Sequence, residues 1–271
     1  MTFRNTCCNG HITAAMIAVT KSPDSLRVAI DALAGVLVDS TMRVSPAGFD
    51  IRQLDSAGST FVALSFPRDK WDAWTCVEHG HYGVNIPSLA KVFKTTKNAK
   101  EIRLEIKDKA RMHIAAVGAG IETSHVVNLL DYTLHDFKVP DMDYPLEFDL
   151  NVKTFKRVIR DLGSLADQVT LRQTEPGLEF VASGPFTEQR VLLPKSEYLA
   201  FLNDGLEAPA GPYSLRVLSL FSRAADTRPP TSSDSQPTGY NLVRMRVKPG
   251  MPLVIEYSMA LGAVLFATAP L

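Results

Sequence analysis

Apolar residues recur along the chain in two rhythms. Stretches spaced near 3.6 residues predict amphipathic helices at Ser25–Val38, Ile86–Lys94, Val152–Leu162 and Tyr213–Arg223. Stretches that alternate, or are rich in Val, Ile and Phe, predict strands. Together they make a recurring unit: helix, strand, tight turn, strand. In the first copy, Ser25–Val38 is followed by strands Met42–Ser45 and Phe49–Leu54 about an Ala47–Gly48 turn. In another, Val152–Leu162 is followed by Gln168–Gln173 and Leu178–Ala182 about Pro176–Gly177. Looser copies run from Ile86–Lys94 into Glu101–Ile106 and Arg111–Val117, and from Tyr213–Arg223 into Leu242–Lys248, Pro252–Ser258 and Ala263–Thr268. Repetition on this scale is the first thing to read in a sequence. Here it predicts an α+β protein of two similar domains, each two helix-plus-meander repeats with the helices on one face of the sheets.

The rhythm breaks at three places. Residues 128–145 carry Asp131, Asp136, Asp141 and Asp143 with Pro140 and Pro145, which reads as an extended acidic connector. Residues 1–12 show no periodicity and read as a flexible extension. Residues 225–239 are rich in Pro, Ser, Thr and Asp and read as a mobile insertion. The expected domains are therefore 13–127 and 146–271.

Charge changes the picture more than composition does. The chain has 29 basic and 29 acidic residues, which argues against binding nucleic acid by bulk charge. Its distribution is uneven. On Val152–Leu162, Phe155, Val158, Ile159 and Leu162 form an apolar stripe, while Lys153, Lys156, Arg157 and Arg160 form a purely cationic one. Lys91 and Lys94 lie on the second helix, and Arg216 and Arg223 on the fourth, without acids beside them. The first helix is weaker, with Arg27 but also Asp31. Basic helix faces without aromatics suit phosphate contacts that position DNA without reading sequence. A solvated surface is the bland alternative for any one helix.

No apolar run reaches membrane-helix length, and the N-terminus lacks a secretory pattern. Three cysteines, Cys7, Cys8 and Cys76, leave an odd thiol and point to a reducing, intracellular compartment. Cys7, Cys8 and His11 lack a second ligand pair for a metal site. His79–Gly80–His81 reads as a turn with two solvated histidines, and Asp141–Met142–Asp143 as a solvated acidic stretch. Ser183–Gly184 has no neighbouring nucleophile elbow, and no Gly-rich phosphate loop occurs. The expectation is a protein that is not an enzyme and uses no cofactor or metal.

Several segments resemble one family. Phe49–Ser56, Leu129–Asp131, Val139–Tyr144, Phe155–Leu162, Met251–Tyr257 and Ala269–Pro270 resemble, in order and spacing, segments of proliferating cell nuclear antigen (PCNA). The similarity runs from about Met16 to Leu271. It implies a homotrimeric sliding clamp around double-stranded DNA, a processivity factor for DNA polymerase that acts with a clamp loader. The setting implied is the nucleus or a viral replication compartment. The family's DNA-facing positions fall on Lys91, Lys94, Arg160, Arg216 and Arg223. Its client-peptide pocket falls on Leu54, Phe61, Phe137, Val139, Pro252, Ala269 and Pro270. Its subunit edges fall near Glu122–Asn128 and Glu188–Leu193, with His125, Val191, Leu162 and Leu165 as interface positions. A subunit of a heterotrimeric checkpoint clamp is the alternative. Departures include Gly58, Phe61 and Phe137 at pocket positions, Ala34 at a basic position and Glu175 at a lysine that takes ubiquitin. With the neutral charge, they imply a divergent member, viral or protist.

Overall fold

The computed structural model describes residues 14–131, 142–226 and 242–271. Its first half runs β1 (Met16–Thr20), α1 (Pro23–Leu33), β2 (Asp39–Ser45), β3 (Gly48–Leu54), β4 (Thr60–Pro67), β5 (Ala73–Cys76), β6 (Gly80–Asn85), α2 (Ile86–Thr95), β7 (Glu101–Ile106), β8 (Arg111–Gly118) and β9 (Ile121–Asn128). The second half repeats that order. It runs β10 (Leu146–Asn151), α3 (Val152–Gly163), β11 (Gln168–Gln173), β12 (Gly177–Ser183), β13 (Glu188–Pro194), β14 (Tyr198–Asn203), β15 (Ala210–Ser214), α4 (Leu215–Phe221), β16 (Leu242–Val247), β17 (Leu253–Met259) and β18 (Gly262–Thr268). The duplication read from the helix pattern is therefore present.

The strands form three antiparallel sheets. A five-stranded sheet has the order β5-β1-β7-β8-β9, and a four-stranded sheet the order β13-β12-β11-β15. The third has nine strands, β14-β10-β16-β17-β18-β4-β3-β2-β6, and crosses from one half of the chain to the other. It does so where β18 pairs with β4, from Ala263 opposite Ser65 to Thr268 opposite Thr60. Along this seam Val62, Leu64, Phe66, Val264 and Phe266 are fully buried. Gly262, at φ +151°, opens β18, and a Cβ there would run into the Ser65 carbonyl.

The helices sit against one another as well as on the sheets. α2 packs on α1, α1 on the 3-10 turn Ser222–Asp226, and that turn and α4 on α3. The helix layer therefore continues across the seam, as the nine-stranded sheet does. One apolar core joins both halves.

Both ends of α1 and both ends of α4 differ from the sequence reading. α1 begins at Pro23, whose fixed φ suits a first turn, and ends at Leu33 rather than Val38. Leu37 turns back into the core while Val38 is exposed, and the Val38 carbonyl accepts from Ile86 N–H at 2.8 Å. α4 begins at Leu215, because Tyr213 and Ser214 belong to β15 and the Ser214 side chain accepts from Val217 N–H. The helix gives way at Ser222 to the 3-10 turn, which carries Arg223. The 1–12 extension and most of the 128–145 connector and 225–239 insertion lie outside the described residues.

Candidate nucleic-acid and partner interfaces

The helix layer gathers the basic residues. Asn151 caps the start of α3 by accepting from Lys153 N–H at 2.9 Å. Phe155, Val158, Ile159 and Leu162 then fall inward, and Lys153, Arg157 and Arg160 outward. Lys156 is half-buried beside them. Arg216 on α4 faces α3, so Lys156, Arg160 and Arg216 line one open groove between the two helices, about 420 Å3 in volume. Arg223 reaches across the seam, with its guanidinium 3.5 Å from where a Cβ on Gly35 would stand.

Acids neutralise only part of this surface. Arg27 pairs with Asp24 at 3.0 Å, Lys94 with Asp31 at 2.9 Å, and Arg160 with Asp161 at 3.0 Å. These exposed pairs hold little energy and part easily for a phosphate. Lys91, Lys153, Arg157, Arg216 and Arg223 are exposed and have no ion-pair partner among the described residues. The helix side thus carries net positive charge in a chain whose total is zero.

On the other side, the seam carries a small apolar cluster. Tyr144, Val254 and Ala267 form a small cluster separate from the main core, against which Phe61, Met142 and Leu265 pack. Register explains the grouping. Ala267 stands opposite Phe61, which stands opposite Leu54 on its other side. Tyr144 Oη donates to the Pro252 carbonyl at 3.2 Å. Burial raises the pKa of this phenol, and nearby Arg246 opposes that shift. Ala269 N–H donates to the Ser59 carbonyl at 2.9 Å, which holds half-buried Ala269 and Pro270 beside the β3–β4 turn. Of the expected pocket residues, Leu54, Phe61, Pro252, Ala269 and Pro270 are therefore brought to this region, while Phe137 and Val139 lie outside the described residues. Sequence reasoning missed Val254, Leu265 and Ala267. Their signal was the alternation within each strand, where outward residues separate the core residues Leu253, Ile255, Val264 and Phe266.

Next to the cluster, the same sheet face is charged. Arg244 pairs with Asp149 at 3.0 Å and Glu147 at 3.5 Å. Arg246 pairs with Glu147 at 3.2 Å and Glu256 at 2.9 Å. Arg244 also lies 4.4 Å over the Phe201 ring.

Two strands end sheets at the expected segments. β9 is an edge of the five-stranded sheet and β13 an edge of the four-stranded one. His125 on β9 is half-buried, with Nε2 3.1 Å from Thr95 Oγ1. On β13, Val191 packs against the core, and on exposed Glu188 the carboxyl is held below its usual range by a hydrogen bond and ion pair with Arg190. Leu165 is exposed just past the end of α3. Leu162 differs from the expectation: it is wholly inside the protomer, because it closes the apolar stripe of α3, and so belongs to the core rather than to a contact surface.

His81 also departs from its expected turn, lying on β6 opposite Arg43. Among the described residues, no group of His, Cys, Asp and Glu is arranged to hold a metal ion, and no helix is long and apolar enough to cross a membrane. Cys7, Cys8 and His11 lie outside the described residues.

Comparison with known proteins agrees with this architecture. Residues 21–116 match the family profile of the proliferating cell nuclear antigen N-terminal domain, and residues 138–202 that of its C-terminal domain. A DNA polymerase sliding clamp from Cenarchaeum symbiosum (strain A) is 21% identical over 263 residues, which cover 94% of this chain and 98% of that protein. The crystal structure of Proliferating Cellular Nuclear Antigen from Entamoeba histolytica superimposes with a TM-score of 0.83 at 18% identity, over 96% of this chain and 100% of that one. Two similar halves, a strand seam joining them, a basic helix layer and matches to both family domains lead to one conclusion: this chain belongs to the PCNA family of sliding clamps.

Proposed function

We propose that three copies of this chain join head to tail, β9 of one against β13 of the next, into a ring around duplex DNA. One observation carries the reading. The chain already makes such a seam internally, between β4 and β18, and β9 and β13 are the counterparts of those strands in the repeated halves. Closing the remaining edges around a symmetric assembly leaves no strand edge bare at the junctions. The helix layer would then continue around the hole. Its unpaired cations, Lys91, Lys153, Arg157, Arg216 and Arg223, supply phosphate contacts without base readout, which lets the ring slide.

The apolar cluster around Phe61, Tyr144, Val254 and Ala267 is the site for short peptides of DNA polymerase and other clients. Its apolar surface takes an aliphatic or aromatic anchor, and the acidic connector suits a basic flank. The matching place at the other junction would have Ser183, Glu188 and Ser124 for Leu54, Phe61 and Leu265, so each chain offers one such site. A clamp loader that opens the ring and a nuclear or viral replication setting complete the reading.

The test is topological. Clamps assembled on a closed circular duplex should survive a high-salt wash and leave when the circle is cut. Equal loss from circular and linear DNA would overturn the ring reading. A chain that assembles only with unlike partners would move it to the checkpoint-clamp class.

A further inference from the structure

We infer that a polar pair, His125 of one protomer and Gln189 of its neighbour, locks the register of the seam between chains; the inference rests on the ring reading above. The two halves fix the equivalence residue by residue. β8 and β9 close on Gly118 opposite Ile121, and β17 and β18 on Met259 opposite Gly262, each across a two-residue turn. β3 and β4 start from Gly48 opposite Pro67, and β12 and β13 from Gly177 opposite Pro194. Counting from these anchors, His125 takes the place of Phe266, and Gln189 the place of Val62. Phe266 stands opposite Val62 in the internal seam. The same register between chains sets His125 opposite the partner subunit's Gln189, Ser124 opposite Arg190 and Thr123 opposite Val191.

The protomer holds both halves of this pair in an unfinished state. Gln189 is half-buried, and its Oε1 is shut off from water with no hydrogen-bond partner. A buried polar atom left that way is costly, so a rotamer change that brings it out to a neighbour's donor is favoured. Beside β9, the hydroxyl of Thr95, the last residue of α2, donates to the Val92 carbonyl at 2.7 Å, so it accepts from His125 Nε2–H at 3.1 Å. That leaves Nδ1 for a second partner. A protonated imidazole donates from Nδ1 to Oε1. With the amide turned over, its NH2 donates to a neutral Nδ1. Either arrangement closes the same pair. Slipping one residue would turn Gln189 and His125 to opposite faces, and slipping two would set each against Val191, Thr187, Thr123 or Val127. The pair thus penalises a one-residue slip, and the two-residue slip that sets it against Val191 and Val127, as single buried polar residues do in other self-assembling interfaces.

The test uses the full chain and reads subunit dissociation by light scattering across a dilution series. Gln189→Val removes the orphan oxygen from the protomer, so the fold is not put at risk, yet it strands His125 in the ring. His125→Phe does the reverse. Each should raise the dissociation concentration about ten- to hundredfold. The double variant copies the Phe266–Val62 pair and should recover to wild-type strength or better. Single effects that are absent, or that simply multiply in the double variant, overturn the lock. Wild-type chains that never associate overturn the ring itself, a separate result. Register is read directly by crosslinking in a background with Cys7, Cys8 and Cys76 replaced by Ser. Ser124→Cys with Arg190→Cys should link neighbours under mild oxidation. Stronger linking by Ser124→Cys with Leu192→Cys would overturn the register.

Discussion

The internal seam and the two bare edges are made from equivalent strands, yet their side chains differ. On β4, the inward residues Val62, Leu64 and Phe66 are fully buried, and on β18 so are Val264 and Phe266. Their counterparts are Gln189, Val191 and Leu193 on β13, and Thr123 and His125 on β9. Outward, β9 and β13 carry Glu122, Ser124, Glu188 and Arg190. A strand whose partner is part of the same chain never waits in water, so it can be wholly apolar. A strand that must meet its partner from solution stays exposed until assembly, and polar residues there keep it from pairing at random. In the proposed ring, the edges are therefore apolar enough to close and polar enough to wait.

The largest expected effect breaks the internal seam. Leu64→Asp buries a charge among Val62, Phe66 and Val264 and should cost at least about 4 kcal/mol, enough to abolish cooperative urea unfolding. The equivalent change at the bare edge, Val191→Asp, should leave a folded chain by circular dichroism that no longer assembles. If both behave alike, the contrast between seam and edge fails.

The apolar cluster comes next, because among the described residues it lies at the internal seam. Phe61→Asp should weaken binding of a client-type peptide by about 2–4 kcal/mol in a titration, with assembly unchanged. Unaltered affinity would mean that clients bind elsewhere.

The helix layer should respond less per residue. Reversing Lys91, Arg157 and Arg223 to Glu should lower DNA association equally for unrelated sequences and flatten its salt dependence. Each site is exposed, so stability should change by no more than about 0.5 kcal/mol. Full processivity in such a variant would mean the cations are only solvated surface. The smallest effect is local: Asn151→Ala removes the α3 cap and should cost about 1 kcal/mol in thermal unfolding, without altering either edge.

Much of this was legible in the sequence, and the limits were physical. The duplication showed because helix periodicity and paired turns are local signals, as at Phe155–Leu162 and Pro176–Gly177. The basic stripe of α3 was visible because one helix fixes which residues share a face. The ends of α1 and α4 were misplaced because apolar residues such as Leu37 and Tyr213 serve the core from a loop and a strand as well as from a helix. The seam was not visible: nothing near Thr60–Pro67 says that its partner lies some 200 residues on at Gly262–Thr268. The apolar cluster depends on that pairing, so Val254, Leu265 and Ala267 stayed hidden while Phe61 and Pro252 came from the family resemblance. The partner's side of an edge is never written beside it, which is why Leu162 was assigned to the interface although it is core.

The central claim, that β9 and β13 are the two halves of one seam, is tested most directly by the solution mass of the purified chain. Light scattering at micromolar concentration should give three times the chain mass for the wild type and the mass of a single chain for Val191→Asp. A wild-type protein that remains monomeric, or a Val191→Asp variant that still forms trimers, would contradict the account.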